Sequence, residues 1–436
     1  MTQTQTSSAR TSASPSAVDD LRINISRLSR EIFELSEIGR KPDHHGTYRV
    51  AFSEADMQAR AWMQEKISAA GLTPRMDGAG NVFGHWEYPS KRPAVLVGSH
   101  LDTVPASGPL DGALGVLGAL EVARTIREAG IEPKFPLDIV GFSDEEGRFG
   151  AMFGVEAFCG LQTLETIESL RDIEGVPLMD AMRQAGLDPL KALDCQRLSN
   201  PLRAYLELHV EQGPVLESQR IAIGIVSVIT GLFKWKARLI GKANHAGTTP
   251  MNLRRDAFMG LADFAHELPR ILEENGSEIS RATIGRVDIF PGHAHTIPEA
   301  AEFSLVVRDA EQATLDELED AIRKALSAVA RRRGLMFEFE PLSNIVPQDC
   351  DPEVRQIIER QANRLGLSHL HMPSGAGHDA QFLTQVAPTG MIFVPSRGGI
   401  SHAPQEWTDL ADIEKGVNLL LASTLQLMTD EGCLSR

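Results

Sequence analysis

The sequence predicts an α/β protein whose main domain is a mostly parallel sheet with helices on both faces, interrupted by a smaller inserted α+β domain. Two observations predict this. Short apolar runs alternate with helical stretches after Gly71 and again beyond about Pro352, the order that parallel βαβ units produce. Between them, from about Gly224, the runs switch to alternation of polar and apolar residues, as in a half-exposed antiparallel sheet.

In chain order, the Ser- and Thr-rich start, residues 1–19, has no apolar h-region and reads as a disordered tail rather than a signal or anchor. From about Asp20, the spacing of Leu21, Ile25, Leu28 and Ile32 predicts a helix, and the interval GTYRV separates it from a second one ending near Gly71. NVFGHWEY and PAVLVGSH read as strands, followed by a helix from about Gly112 to Gly130 and the strands PLDIVGFS and AYLELHVEQG. SVITGLFKWKARLIG puts Phe233, Trp235, Ala237 and Leu239 on one face of a strand. A helix from about Asn252 to Glu274 precedes the strands ATIGRVDIF and AEFSLVVRD. Thr314, with Glu317 three residues on, predicts an N-cap for the next helix, which leads into LMFEFEPL. PEVRQIIERQANRLG, the strand GMIFVPS and a last helix from about Leu410 to Met428 return to the first texture. The expected partition is 20–223 with 343–436 as the α/β domain and 224–342 as the insert.

With 436 residues, 42% of them hydrophobic, the chain can bury a large core in two or more domains. Its formal charge of −16 argues against nucleic acid and anionic membranes as partners. No window approaches the roughly 18 consecutive apolar residues of a spanning helix. Cys159, Cys195, Cys350 and Cys433 lie far apart without a C-x-x-C spacing, so neither a disulfide framework nor a structural zinc knot is expected, and a reducing cytoplasm suits the chain.

The chemistry gathers at strand ends, where loops in open α/β sheets converge on ligands. GSHLDTVPASGPLDGALG follows the apolar run Ala94 to Val97 and carries His100, Asp102 and Asp111. By itself it fits either a strand-to-helix turn opened by Asp111 or one half of a metal site. Three further strands end alike: SDEEG gives Asp144, Glu145 and Glu146, HVEQG gives His209, Glu211 and Gln212, and SRGGISHAPQEW gives His402 and Glu406. One polar strand end is ordinarily a solvated cap; four on one rim supply the imidazole and carboxylate set that zinc, manganese, nickel or cobalt accepts. Two ions about 3.5–4 Å apart need a bridging carboxylate and roughly two further ligands each, a number that His100, Asp111, Glu146, His209 and His402 meet. Of the neighbours Glu145 and Glu146, one can ligate while the other stays free as a general base.

The blocks GSHLDTV, LDG, SDEEG, LHVEQGPVLE, NHAGTTPM, SGAGHDAQ and GISHAPQEWT resemble, in order, the hydantoinase/carbamoylase family of dinuclear metal amidohydrolases, within the aminoacylase and carboxypeptidase-like zinc peptidase superfamily. The resemblance implies that His100 and His209 hold one divalent ion, Glu146 and His402 the other, and Asp111 bridges them. It implies that Asp102 orients His100, that Glu145 shuttles the proton, and that metal-bound hydroxide attacks an amide or ureido carbon. Zinc is the first expectation for both ions, with manganese, nickel or cobalt as alternatives. The insert resembles a ferredoxin-like lid and dimerisation domain, so the resemblance implies a homodimer in which His245 reaches the partner subunit's site and stabilises the oxyanion. Gln212 and Arg308 would hold the substrate carboxylate, Arg308 through its planar fork, and Gly377 and His378 belong to a block near the site.

Departures limit what carries over. Where the family commonly has Asn, HAHTIP places His295, a substrate contact with a different hydrogen-bond pattern. SDEEGRFG lacks the Ser often found between Gly and Arg, and Val306 stands where an acid is frequent. The leading expectation is hydrolysis of the carbamoyl C–N bond of N-carbamoyl-L-amino acids. Allantoate or ureidopropionate are near alternatives, a dipeptide or N-acyl amino acid a further one. A catalytically silent binding protein, expected to have lost a ligand or the base, is the reading from another class.

Overall fold

The computed structural model describes residues 20–41, 46–86, 92–150, 152–195 and 201–435. The N-terminal segment expected to be a tail lies outside them. The chain divides into two compact units, 1–227 with 350–372 and 378–436, and 228–349 with 373–377. In chain order the strands are β1 (Thr73–Met76), β2 (Val82–His85), β3 (Ala94–His100), β4 (Leu137–Phe142), β5 (Leu202–Val210), β6 (Ile223–Ile229), β7 (Gly231–Ile240), β8 (Arg281–Phe290), β9 (Ala300–Asp309), β10 (Met336–Ile345), β11 (Gln348–Asp349), β12 (His369–Ser374) and β13 (Thr389–Val394).

The larger sheet runs β1-β2-β4-β3-β5-β13-β6-β11, with β12 also paired to β6. Its centre, β4-β3-β5-β13, is parallel, and antiparallel pairs close both flanks. The parallel strands are buried along almost their whole length because helices cover both faces, which is why they read as continuous apolar runs. Helix Ala113–Glu128, buried from Ala113 to Ile126, crosses from β3 to β4, and helix Leu410–Thr429 packs against it. Parallel strands end on the same edge, so the tips of β3, β4, β5 and β13 deliver their loops together.

The second unit is a βαββαβ chain whose sheet order β10-β7-β9-β8 is wholly antiparallel, the ferredoxin-like arrangement. Helices Ala257–Asn275 and Gln312–Arg333 bury Phe264, Leu318, Ile322 and Leu326 against Phe233, Trp235, Phe303 and Leu305.

Several elements differ from expectation. SVITGLFKWKARLIG is two strands: β6 ends at Ile229 in the larger sheet, and β7 begins at Gly231 in the smaller. The helix expected from Asn252 starts at Ala257, because Met251–Leu253 is a 3₁₀ turn and the Asp256 carboxylate accepts the Met259 N–H as the cap. Thr314 is not an N-cap: the helix is already under way at Gln312, Glu311 holds the cap position, and its N–H is taken by Asp309 Oδ1. The insert begins at 228 rather than 224 and runs to 349 rather than 342, with β10 continuing through a bulge at Pro341/Ser343. Segment 373–377 groups with it, although periodicity gave no sign of this.

Candidate metal centre

His100 is the last residue of β3 and His209 the penultimate residue of β5; Glu145 and Glu146 follow β4, and His402 lies in the loop after β13. Asp111 sits in the turn before helix Ala113–Glu128. Its side chain does not cap that helix, whose N-cap is Gly112 without a side-chain bond. Instead Asp111 Oδ1 lies 3.1 Å from His209 Nε2 and 3.6 Å from His100 Nε2, and Oδ2 lies 3.2 Å from His402 Nε2. His402 Nε2 is 3.4 Å from Glu146 Oε2. The carboxylate therefore faces two histidines with one oxygen and a His/Glu pair with the other, as a bridging ligand would.

Backbone carbonyls set the imidazole tautomers. His100 Nδ1 donates to Asp102 O at 3.0 Å and His209 Nδ1 to Val210 O at 2.9 Å. A carbonyl only accepts, so Nδ1 carries a proton in each ring and Nε2 is the nitrogen turned inward as the ligand atom. The expected contact of the Asp102 carboxylate with His100 is not what holds the ring, since Oδ1 lies 4.0 Å from Nδ1. That carboxylate instead accepts the backbone N–H groups of Glu145 and Glu146, at 3.3 and 3.1 Å, and so fixes the acidic pair. Gly112, at φ +63°, is where a side chain cannot go: an added Cβ would lie 2.4 Å from the His100 ring. Asp144, Gln212 and His402 also take positive φ at the loop turns, the kind of strain a functional site retains.

The donor set suits divalent cations. Glu146 Oε1 is buried without a hydrogen-bond partner, and burial with the Asp111 charge pushes Glu146 up to about 7. Glu145 Oε2 stands 3.6 Å from His100 Nε2, and burial with the Glu146 charge holds its carboxyl well above the usual range despite His100. The Asp111 hydrogen bond and the Glu146 charge raise His402 to about 9. For Asp111, burial is outweighed by the three histidines, which hold it well below the usual range. Buried carboxylates gathered around inward-facing imidazole nitrogens suit positive charge at their centre.

The sequence reading named Glu406 without giving it a role and did not single out Glu207. Glu406, buried, accepts the N–H groups of Leu110 and Asp111 at 3.1 and 3.0 Å and the Ser401 hydroxyl at 2.7 Å, fixing the peptide that carries the bridging carboxylate. Its place in the loop that follows β13 was the available signal. Glu207 groups with His209 and His378, but its oxygens already accept from Ser99, Tyr205 and the Ala380 N–H. His378 packs edge-on against His209, ring centroids 4.6 Å apart. Gln212 turns into the centre, donating from Nε2 to Asp111 Oδ2 at 2.8 Å. Glu211 is taken up by the Val215 and Leu216 N–H groups.

His245, Arg308, His295 and Gly377 fall in the second unit. Two of its loops zip together through His245 and Thr296 and through Ala246 N–H to His295 O at 2.9 Å, leaving both imidazoles exposed. His245 Nδ1 accepts from Gly247 and Thr248 N–H, so its remaining proton is on Nε2. Arg308 lies on the face of β9 opposite the helices, half-buried, and burial lowers its pKa.

The model of the peptidase family M20/M25/M40 matches residues 96–426. The chain belongs to this family. M20 enzymes are metal-dependent hydrolases, and the matched stretch contains all five candidate ligands and Glu145. The chain is 38% identical over 409 residues to an N-carbamoyl-L-amino acid amidohydrolase of Geobacillus stearothermophilus, covering 93% of this chain and 99% of the relative. It is 33% identical over 389 residues to an allantoate amidohydrolase of Bacillus subtilis, covering 88% and 93%. The crystal structure of a hydantoinase/carbamoylase family amidase from Burkholderia multivorans superposes with a TM-score of 0.86 at 35% identity, covering 94% of this chain and 99% of that one. This M20 protein is therefore a hydrolase of C–N bonds on a carbamoylase-type fold.

Proposed function

We propose that the chain hydrolyses N-carbamoyl-L-amino acids, with two divalent cations, zinc first, shared by His100 and His209 on one side, Glu146 and His402 on the other, and Asp111 between them. The observation that carries this is the near full-length similarity to an N-carbamoyl-L-amino acid amidohydrolase, combined with a free carboxylate, Glu145, beside the converging ligands. Bound there, such cations would polarise the scissile carbonyl and acidify water. The chain's own residues supply the rest. Glu145 takes the proton of the attacking water and hands it to the departing nitrogen, so that cleavage of one C–N bond releases one amine and leaves a carbamate. The remaining C–N bond of the carbamate then breaks on its own, completing the yield of amino acid, carbon dioxide and ammonia. The raised carboxyl of Glu145, held up by burial, suits a group that must both accept and release a proton. Asp102 holds the Glu145 peptide in place.

Arg308 would pair with the substrate carboxylate, and His295 and Gly377 of its unit, like Gln212 and His378 of the larger one, are the further substrate contacts we propose. Arg308 is a half-buried guanidinium with no carboxylate partner among the described residues, which suits an incoming anion. His245 would act across a homodimer formed by the inserted lid domain, donating its Nε2 proton to the developing oxyanion. Four free cysteines suit a cytoplasmic setting, and no helix among the described residues is long and apolar enough to cross a membrane.

The test is turnover by the purified, zinc-loaded protein of N-carbamoyl-L-amino acids, allantoate, 3-ureidopropionate, N-acetyl amino acids and dipeptides. Preference for the first class is expected, and Glu145→Gln should lower kcat by roughly 10²–10⁴-fold while metal content stays unchanged. Turnover of acyl amino acids with none of any ureido compound would overturn the substrate, and an active Glu145→Gln would overturn the base.

A further inference from the structure

Away from this centre, the larger unit carries a second group of ligand-type side chains. His369 and His371 lie two apart on β12 and share its outward face, while Met372 is buried on the other. Helix Pro352–Arg364 brings Glu359 against them: its Oε1 is 3.4 Å from His371 Nε2 and 3.7 Å from His369 Nε2. Both separations exceed a hydrogen bond. The first falls within the 3.1 to 3.6 Å between imidazoles and carboxylate around Asp111, and the second lies just beyond it.

The tautomer is set in the same way too. His369 Nδ1 donates to the Leu367 carbonyl at 3.2 Å. With Nδ1 engaged there, Nε2 is the nitrogen that faces the Glu359 carboxylate and is placed to ligate a cation beside it. Zinc with nitrogen and oxygen ligands at about 2.0–2.2 Å in tetrahedral array separates those atoms by roughly 3.3 Å, close to what Glu359 keeps from both rings. The rings of His369 and His371 have centroids 6.4 Å apart, against 5.9 Å for His100 and His209. A cation shared by all three residues therefore requires the exposed His371 side chain to turn toward His369 and Glu359.

We propose that Glu359, His369 and His371 form a separate surface site for a divalent transition metal of the zinc class, with water completing the fourth position. A cation there ties helix Pro352–Arg364 to β12. None of the three residues belongs to the catalytic arrangement, so the site can be emptied without touching the reaction.

The metal-free protein, its His371→Ala variant and its Glu359→Gln variant are dialysed against low-micromolar zinc, and bound zinc per chain is measured by plasma emission. Wild type should retain one more zinc per chain than either variant, with kcat equal in all three once the main centre is filled. Zinc should also raise the melting temperature of wild type more than that of the variants. The difference of one equivalent stands whatever the occupancy of the Asp111 centre, so failure of one reading leaves the other intact. Circular dichroism identifies a misfolded variant, and the other variant then decides. Equal zinc content in wild type and a folded variant overturns the proposal.

Discussion

Loading the face formed by Asp111, Glu146 and His402 should expel protons, in a number the structure fixes. Burial and the Asp111 charge hold Glu146 at about 7, and the Asp111 hydrogen bond holds His402 at about 9. At pH 7 the metal-free chain thus keeps about one proton on His402 and about half a proton on Glu146, so zinc must displace roughly 1.5 protons from this pair. Release from His100 and His209 adds to that minimum, since in both, burial is outweighed by neighbouring carboxylates and the pKa is raised. Through this pair, the apparent zinc affinity should climb by up to about 100-fold per pH unit below 7, by about tenfold per unit from 7 to 9, and then level off. Titration calorimetry in buffers of different ionisation heat counts the protons, and chelator competition from pH 6 to 9 gives the slope. Release of less than about one proton at pH 7, with an affinity flat between pH 6 and 8, would refute the assignment of Glu146 and His402 as ligands.

Glu146→Gln should abolish zinc at that face yet stabilise the metal-free chain. The folded pKa of about 7 lies above the ordinary value of 4.5, so folding penalises the ionised form; the penalty is absent below about pH 4.5, complete above about pH 7, and worth up to about 3 kcal/mol. Urea melts at pH 8 should show the gain and melts at pH 4.5 should not; a variant no more stable at pH 8 contradicts it. Gly112→Ala places a Cβ 2.4 Å from the His100 ring at a positive φ, so metal analysis should find one ion fewer per chain; full metal content would show that the ring can yield. Arg60→Leu strands Asp56, its fully buried partner at 3.0 Å, and also frees the carbonyls of Gly80 and Phe142. A loss of roughly 3–5 kcal/mol is expected, recovered in good part by adding Asp56→Asn. A loss under about 1 kcal/mol, or no recovery in the double variant, would mean the pair is not the stabilising unit.

Much of the architecture was legible because burial leaves a direct mark on sequence. Strands covered on both faces, such as Ala94–His100 and Thr389–Val394, must be apolar throughout, and the alternation in Gly231–Ile240 records one open face. Element ends were less legible, since they depend on which side chain reaches a free N–H. Asp256 rather than Asn252, and position 311 rather than Thr314, became the start points through local bonds that no periodicity encodes. The division of SVITGLFKWKARLIG between two sheets was hidden for a related reason: β6 and β7 both pair antiparallel, so the pattern carries no break at Thr230.

For the site, the sequence alone determined the ligand types and their placement after apolar strands, because metal chemistry demands imidazole and carboxylate and parallel topology sends strand ends to one rim. Only the tertiary structure decided which atoms meet. It aimed Asp111 between two pairs of ligands instead of at its own helix, gave the Nδ1 contact of His100 to the carbonyl of Asp102, and turned that carboxylate to the Glu145 and Glu146 peptides. It also recruited Glu406 beneath Asp111 and set Glu359 against His369 and His371. Most of these contacts join residues far apart in the chain across a few ångströms, and a linear pattern records residue type and period but not that distance.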